Sequence, residues 1–270
     1  MKRIRAPLLA SSALLVGTSL LLAHDLFFKL ESYFVEPHSK LRIPVYNGTF
    51  TASEAGVAPE RLLDVSLVSP SGRTRLGQNA WTTEETRAWL EVHVGEAGTY
   101  VAGASLRPRR IELTAAEFNE YLKEDGILDV LEARTRNNEL DRPARERYAK
   151  HVKAIFQVGD RRTESYAAVL GYPAEIVPLA NPYLLKPGSE LKVRCLVDGK
   201  PVANQVVFWG GESADGPIAQ RSVRTDQDGI AGVTLDRAAK WYVKFVHLVP
   251  LAEPEFDYES KWATLTFEIR

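Results

Sequence analysis

The chain has 270 residues, 34 of them basic and 35 acidic, and a single cysteine. That balance leaves no basic footprint for nucleic acid, and one cysteine excludes both a disulfide-stapled scaffold and a multi-cysteine zinc site. The length supports one or two domains with real hydrophobic cores.

Residues 1–23 follow the plan of a secretory signal peptide. Lys2, Arg3 and Arg5 supply the positive start, Leu8 to Leu22 the apolar run, and Ala23 the small residue before a cut. Leu21 departs from the small residue usual at the third position before cleavage. The apolar run is short for a spanning helix of roughly 20 residues. The expectation is export to the periplasm, cleavage after Ala23 and no membrane insertion afterwards, with an uncut N-terminal anchor as the alternative. Removing the three basic residues of the leader leaves 31 basic against 35 acidic, a net charge of −4.

From His24 the pattern is strand-like: Leu26, Phe28 and Leu30 share one parity, Asp25 and Lys29 the other. Leu41 to Tyr46 follows, closed by the turn signal Asn47-Gly48. Leu62 to Val68 reads as a strand with Ser69-Pro70-Ser71-Gly72 as its turn. Trp89 to Val94 alternates, with Leu90, Val92 and Val94 inward, and Thr99 to Val101 enters another strand. Short strands parted by Gly and Pro turns predict a β-sandwich over residues 24–107.

The texture changes over 108–171. Thr114 with Glu117 forms a capping-box signature, Phe118, Tyr121, Leu122, Ile127, Val130 and Leu131 have helical spacing, and Asp125-Gly126 divides the run into two helices. Residues 134–148 are dense in charge and read as a solvated segment. Lys150 to Val158 then reads as a strand, completing a short helical insert with a connecting strand.

Residues 172–270 predict a second sandwich of about seven strands, immunoglobulin- or transthyretin-like. Leu191, Val193, Cys195 and Val197 alternate with Lys192 and Arg194. Cys195 is therefore expected to pack as a small apolar side chain. Gly210-Gly211-Glu212-Ser213 reads as a hairpin loop. Asp226-Gln227-Asp228-Gly229 reads as a turn, because position twelve of a calcium loop counted from Asp226 is Arg237. The fold class is mainly β: two sandwiches joined by the insert.

No nucleophile elbow, phosphate loop, dinucleotide fingerprint or His-Glu-x-x-His motif occurs, so no catalytic residue is assigned. Of the five histidines, His38, His93 and His151 read as ordinary. His247 shares the parity of Trp241, Val243 and Phe245 and ends that apolar set, as His24 starts its own. After cleavage, His24 would offer an α-amine of pKa about 7.7–8.0 together with its imidazole. A third nitrogen from His247 would favour nickel or copper over magnesium or calcium. Asp25, Asp257 and Glu259 are candidate oxygen ligands or orienting acceptors.

Several stretches carry a resemblance: Ala23-His24-Asp25-Leu26-Phe27-Phe28, Tyr148-Ala149-Lys150 leading to Phe156-Gln157-Val158-Gly159, and Leu170-Gly171-Tyr172-Pro173 running on to Asn181-Pro182-Tyr183. Asp198-Gly199-Lys200-Pro201, Thr225-Asp226-Gln227-Asp228-Gly229 and Ser260 to Phe267 extend it. In these the chain resembles a periplasmic family of unknown function labelled a nickel-uptake substrate-specific region, or the periplasmic component of cobalt/nickel transport systems. The resemblance implies a secreted β-rich protein of transition-metal handling, for nickel, cobalt or copper, with His24 and His247 as ligands and a metal-uptake permease as partner. Two other readings stand beside it: an envelope sandwich that binds sugar or protein without metal, and a copper redox enzyme built on the His24 chelate.

Overall fold

Alternation of apolar and polar residues is the commonest pattern in the chain, and in the computed structural model, which describes residues 25–270, it becomes strand. In chain order these are β1 (Asp25–Phe28), β2 (Phe34–Val35), β3 (Lys40–Gly48), β4 (Leu62–Ser69), β5 (Gly72–Arg75), β6 (Trp81–Glu84), β7 (Arg87–His93), β8 (Gly98–Leu106) and β9 (Arg109–Leu113). Helices α1 (Ala115–Glu124) and α2 (Leu128–Arg136) follow, then β10 (Ala144–Val158), β11 (Ala174–Pro178), β12 (Ser189–Val197) and β13 (Lys200–Pro201). The chain closes with β14 (Val206–Ser213), β15 (Gly216–Arg224), β16 (Ile230–Leu235), β17 (Ala239–Pro250) and β18 (Tyr258–Ile269).

The expected mainly β sandwich architecture is present, and its two sandwiches share one sheet. That sheet runs β15-β14-β17-β18-β10-β8-β4-β5, with β2 and β9 also paired to β10. Its pivot is β10, parallel to β18 from Glu146↔Tyr258 to Ala154↔Thr266, then antiparallel to β8 from Ile155↔Val101 onward. Because side chains alternate across a strand, β10 serves both faces. On the front, Val152, Ala154 and Phe156 pack with Leu26, Phe28, Ile43, Leu90 and Val92 of the sheet β1-β3-β7-β6. On the back, Ile155 packs with Trp241, Val243, Phe245, Leu265 and Phe267 against Ile176, Leu191, Val193 and Cys195 of the sheet β11-β12-β13, to which β16 adds.

Strand β1 is stitched to the front of the central sheet: the Thr264 hydroxyl donates to the Leu26 carbonyl, and Thr266 Oγ1 to the Phe28 carbonyl at 2.6 Å. The helical hairpin covers the rest of the front through Phe118, Tyr121 and Leu122 against Val246, Tyr258 and Trp262. The capping box is present, with Thr114 Oγ1 accepting from the Glu117 amide and Glu117 accepting from the Thr114 amide. Gly126, at φ +66°, separates the helices in a left-handed conformation that glycine adopts without strain.

Two expectations are corrected. The charge-dense run 134–148 is not simply solvated: Arg134 is only 2% exposed. It lies over the Phe118 ring, donates to Asn119 Oδ1 at 3.0 Å, and reaches the Glu139 and Arg142 carbonyls, tying the end of α2 to the chain entering β10. Gly210-Gly211-Glu212-Ser213 is not a loop but the end of β14. A Cβ at Gly211 would lie 2.2 Å from the Lys240 carbonyl oxygen, so the glycine permits close approach of β17 rather than a turn. The Asp226 turn forms as expected, with Asp226 Oδ1 accepting from the amides of Asp228 and Ile230 at 2.9 and 2.8 Å.

Candidate functional site

Asp25 is the first described residue and opens β1; His24 and the expected cleavage site lie outside the described residues. The alternation of β17 turns Tyr242 and Lys244 to the front while Trp241, Val243 and Phe245 fill the back. Lys244 Nζ therefore meets Asp25 Oδ2 at 2.6 Å and Asp125 Oδ1, in the turn between the helices, at 3.2 Å. Asp25 Oδ1 is buried and accepts no hydrogen bond from the described residues.

Glu146 of β10 lies in the same layer, beneath α1. It accepts from the Ser260 hydroxyl and, at 3.5 Å, from the Tyr121 hydroxyl, whose ring stacks on Trp262 with centroids 5.6 Å apart. Lys150, also of β10, donates to Asn47 Oδ1 at 3.1 Å. Burial governs the protonation of this cluster. It raises Asp125 to about 6, against the opposing pull of Lys244, and raises Glu146 to about 7. It lowers Lys150 to about 8. Lys244 is raised instead: burial disfavours its charge, but Asp25 and Asp125 together outweigh that cost.

His247 sits three residues beyond Lys244 in β17 and faces Gln205. Gln205 Nε2 donates to the Val206 and Val246 carbonyls, which leaves its Oε1 to face His247 Nδ1 at 3.0 Å. Nδ1 must then carry the ring proton, and Nε2 keeps a lone pair. Burial, aided by Lys261, lowers the pKa and holds the ring neutral. The ring borders a cleft of about 250 Å3 between the start of α2 and β17, shared with Asp129 and Arg224.

Asp257 and Glu259 are held by arginines. Asp257 takes Arg145 Nε on Oδ2 and Nη2 on Oδ1, both at 3.0 Å, and this pairing keeps its carboxyl below the usual range. Glu259 Oε1 accepts from Arg147 Nε at 2.9 Å. The structure thus brings Asp25 together with Asp125 and Lys244, and does not bring it to His247 or Asp257. Among the described residues no group of three or more His, Cys, Asp or Glu side chains is placed to hold a metal ion.

Sequence reasoning missed Asp125, Glu146, Lys150 and Lys244. One signal was available: Lys244 interrupts the apolar run Tyr242 to Val246, and a lysine in a strand buried on both faces requires a partner.

The solved structures similar to this chain are remote. Salmonella alpha-2-macroglobulin reacted with methylamine is 10% identical with a TM-score of 0.25; the match covers 90% of this chain, which spans only 15% of that one. The D0-D1 domain of intimin is 13% identical with a TM-score of 0.21, covering 90% of this chain and 97% of the other. A tetra-tandem repeat from the extending region of a large adhesion protein is 11% identical with a TM-score of 0.23, covering 91% and 49%. Likenesses this weak carry no argument about function. No match was found among the curated proteins. Residues 21–249 match one family, and the chain belongs to it: the domain of unknown function DUF4198.

Proposed function

We propose that this protein works in the periplasm as a non-catalytic carrier of a transition ion, nickel, cobalt or copper, in company with a metal-uptake permease. The observation that carries the reading is Asp25 Oδ1, a buried carboxylate oxygen at the first described residue that has no donor among the described residues. A buried acceptor left without a partner is costly. A cut after Ala23 would set an α-amine and an imidazole one residue from that oxygen. The amine gives up its proton to a metal near neutrality, and a nitrogen-rich donor set with one carboxylate suits nickel or copper. Asp125 stands beside Asp25 on the shared Lys244. The resemblance to the nickel-uptake family adds support. In this reading His24 and Asp25 form the site, while His247, hydrogen-bonded to Gln205, and Asp257, held by Arg145, stand outside it.

Mass spectrometry of the protein purified from the periplasm gives the first residue, and calorimetric titration with nickel, cobalt and copper follows. A version carrying one extra alanine before His24 buries the amine in a peptide bond and is expected to bind at least about tenfold more weakly. Asp25→Asn is expected to weaken binding in the same sense. An extended chain that binds as tightly as the natural one, or a first residue other than His24, overturns the proposal.

A further inference from the structure

On the back of the central sheet, where β4, β5 and the end of β8 reach past the cover of the β11-β12-β13 sheet, lies a cleft of about 490 Å3. Its far wall is the segment Leu170 to Pro173 that leads into β11. The volume is that of a small-molecule site, and such sites favour junctions between lobes.

One side of the cleft is built rigidly. Asp64 Oδ2 accepts from the Tyr172 hydroxyl at 2.7 Å, from Ser66 Oγ at 2.7 Å and from Arg73 Nη2 at 2.8 Å. Arg73 also donates through Nη1 to the Leu170 carbonyl at 2.7 Å and through Nε to Ser66 Oγ at 2.9 Å, so each of its guanidinium nitrogens has a partner. The Leu170 and Tyr172 amides donate to Glu175, at 2.9 and 2.7 Å, which fixes the far wall.

The other side is uncompensated. Asp64 is the single carboxylate among the described lining residues, against Arg73, Arg75 and Arg107. Arg75 Nε lies 3.2 Å from Asp64 Oδ1, and the Arg75 side chain is 78% exposed. The Arg107 guanidinium is exposed, and among the described residues it makes no hydrogen bond or ion pair. The lining also carries an apolar part, with Leu63 more than half exposed beside the half-buried Leu76. The unpaired Arg107 fork and the largely exposed Arg75 guanidinium suit a carboxylate or phosphate group, and the leucines suit an apolar body attached to it.

We infer that this cleft binds a small organic anion, its carboxylate or phosphate head held by Arg75 and Arg107 and its apolar part laid on Leu63 and Leu76. The site is on the opposite face from Asp25 and stands independently of the metal reading.

The test is calorimetric titration of the full mature chain with four probes: 1-naphthoate, 1-naphthyl phosphate, the neutral 1-naphthalenemethanol and inorganic phosphate. Saturable binding of at least one naphthyl anion is expected, and the tighter of the two identifies the head group. The alcohol is expected to bind about tenfold more weakly or worse, and Arg75→Gln and Arg107→Gln each to cost about tenfold. Leu63→Asn is expected to weaken the naphthyl anions, while Arg221→Gln on β15 leaves them unchanged. Equal binding of alcohol and anions overturns the inference, as does inorganic phosphate matching 1-naphthyl phosphate. So does the absence of saturable binding by either anion up to about 10 mM.

Discussion

A carboxyl group shut away from water, as Glu146 is beneath α1, keeps its proton up to about pH 7. The unfolded chain releases that proton near 4.5. Between those values the folded state binds the extra proton, so stability falls as pH rises through the window. Asp125, raised to about 6, acts in the same direction. Glu146→Gln, which still accepts from Ser260 without ever charging, is expected to remove part of this loss. Relative to the natural chain it should gain on the order of 3 kcal/mol between pH 4.5 and pH 8, read from urea midpoints. Parallel pH profiles for the two proteins would refute it. At this scale the sequence was legible by residue type and illegible by neighbour. Asp25 and Lys244 stand out as charges in apolar strands, yet nothing in their spacing says that they meet, 219 positions apart. Glu146 sits in a run of charges, and counting charges does not reveal which one a helix will cover.

Lys153 of β10 and Glu175 of β11 form an ion pair at 3.1 Å with side chains 3% and 1% exposed, joining the central sheet to the back sheet. Removing one partner leaves the other charge buried without compensation, so Lys153→Met is expected to cost about 3–5 kcal/mol. Glu175 also holds the Leu170 and Tyr172 amides, so their hydrogen exchange should accelerate in the same variant. The double variant Lys153→Met, Glu175→Gln should recover part of the stability; a double variant weaker than the single one would contradict this account. Elements were the most legible scale. Parity placed Trp241, Val243 and Phe245 in the core and the Thr114 box at the start of α1, because both follow from local backbone geometry. Gly210-Gly211 misled because paired glycines mark turns and close strand contacts alike, and only the neighbouring strand decides between them.

The two sandwiches have no sheet boundary between them: β10 contributes Phe156 to the front core and Ile155 to the back core, and pairs β8 and β18 in succession. Heating is therefore expected to give one cooperative transition in which calorimetric and van't Hoff enthalpies agree. Two resolved transitions would show that the halves unfold separately. This organisation was invisible in the sequence, where β10 reads as a connecting strand. Its parallel partner β18 lies more than a hundred residues downstream, and side-chain periodicity marks a strand's faces without naming its neighbours.

An uninterrupted fifteen-residue strand through the middle also decides how the molecule can handle cargo. Clamshell closure, in which two lobes swing about a flexible waist to trap and release a solute, would tear the ladder on both sides of β10. Any capture or surrender must instead arise from side chains and short segments at the rim, with the scaffold behind them standing still.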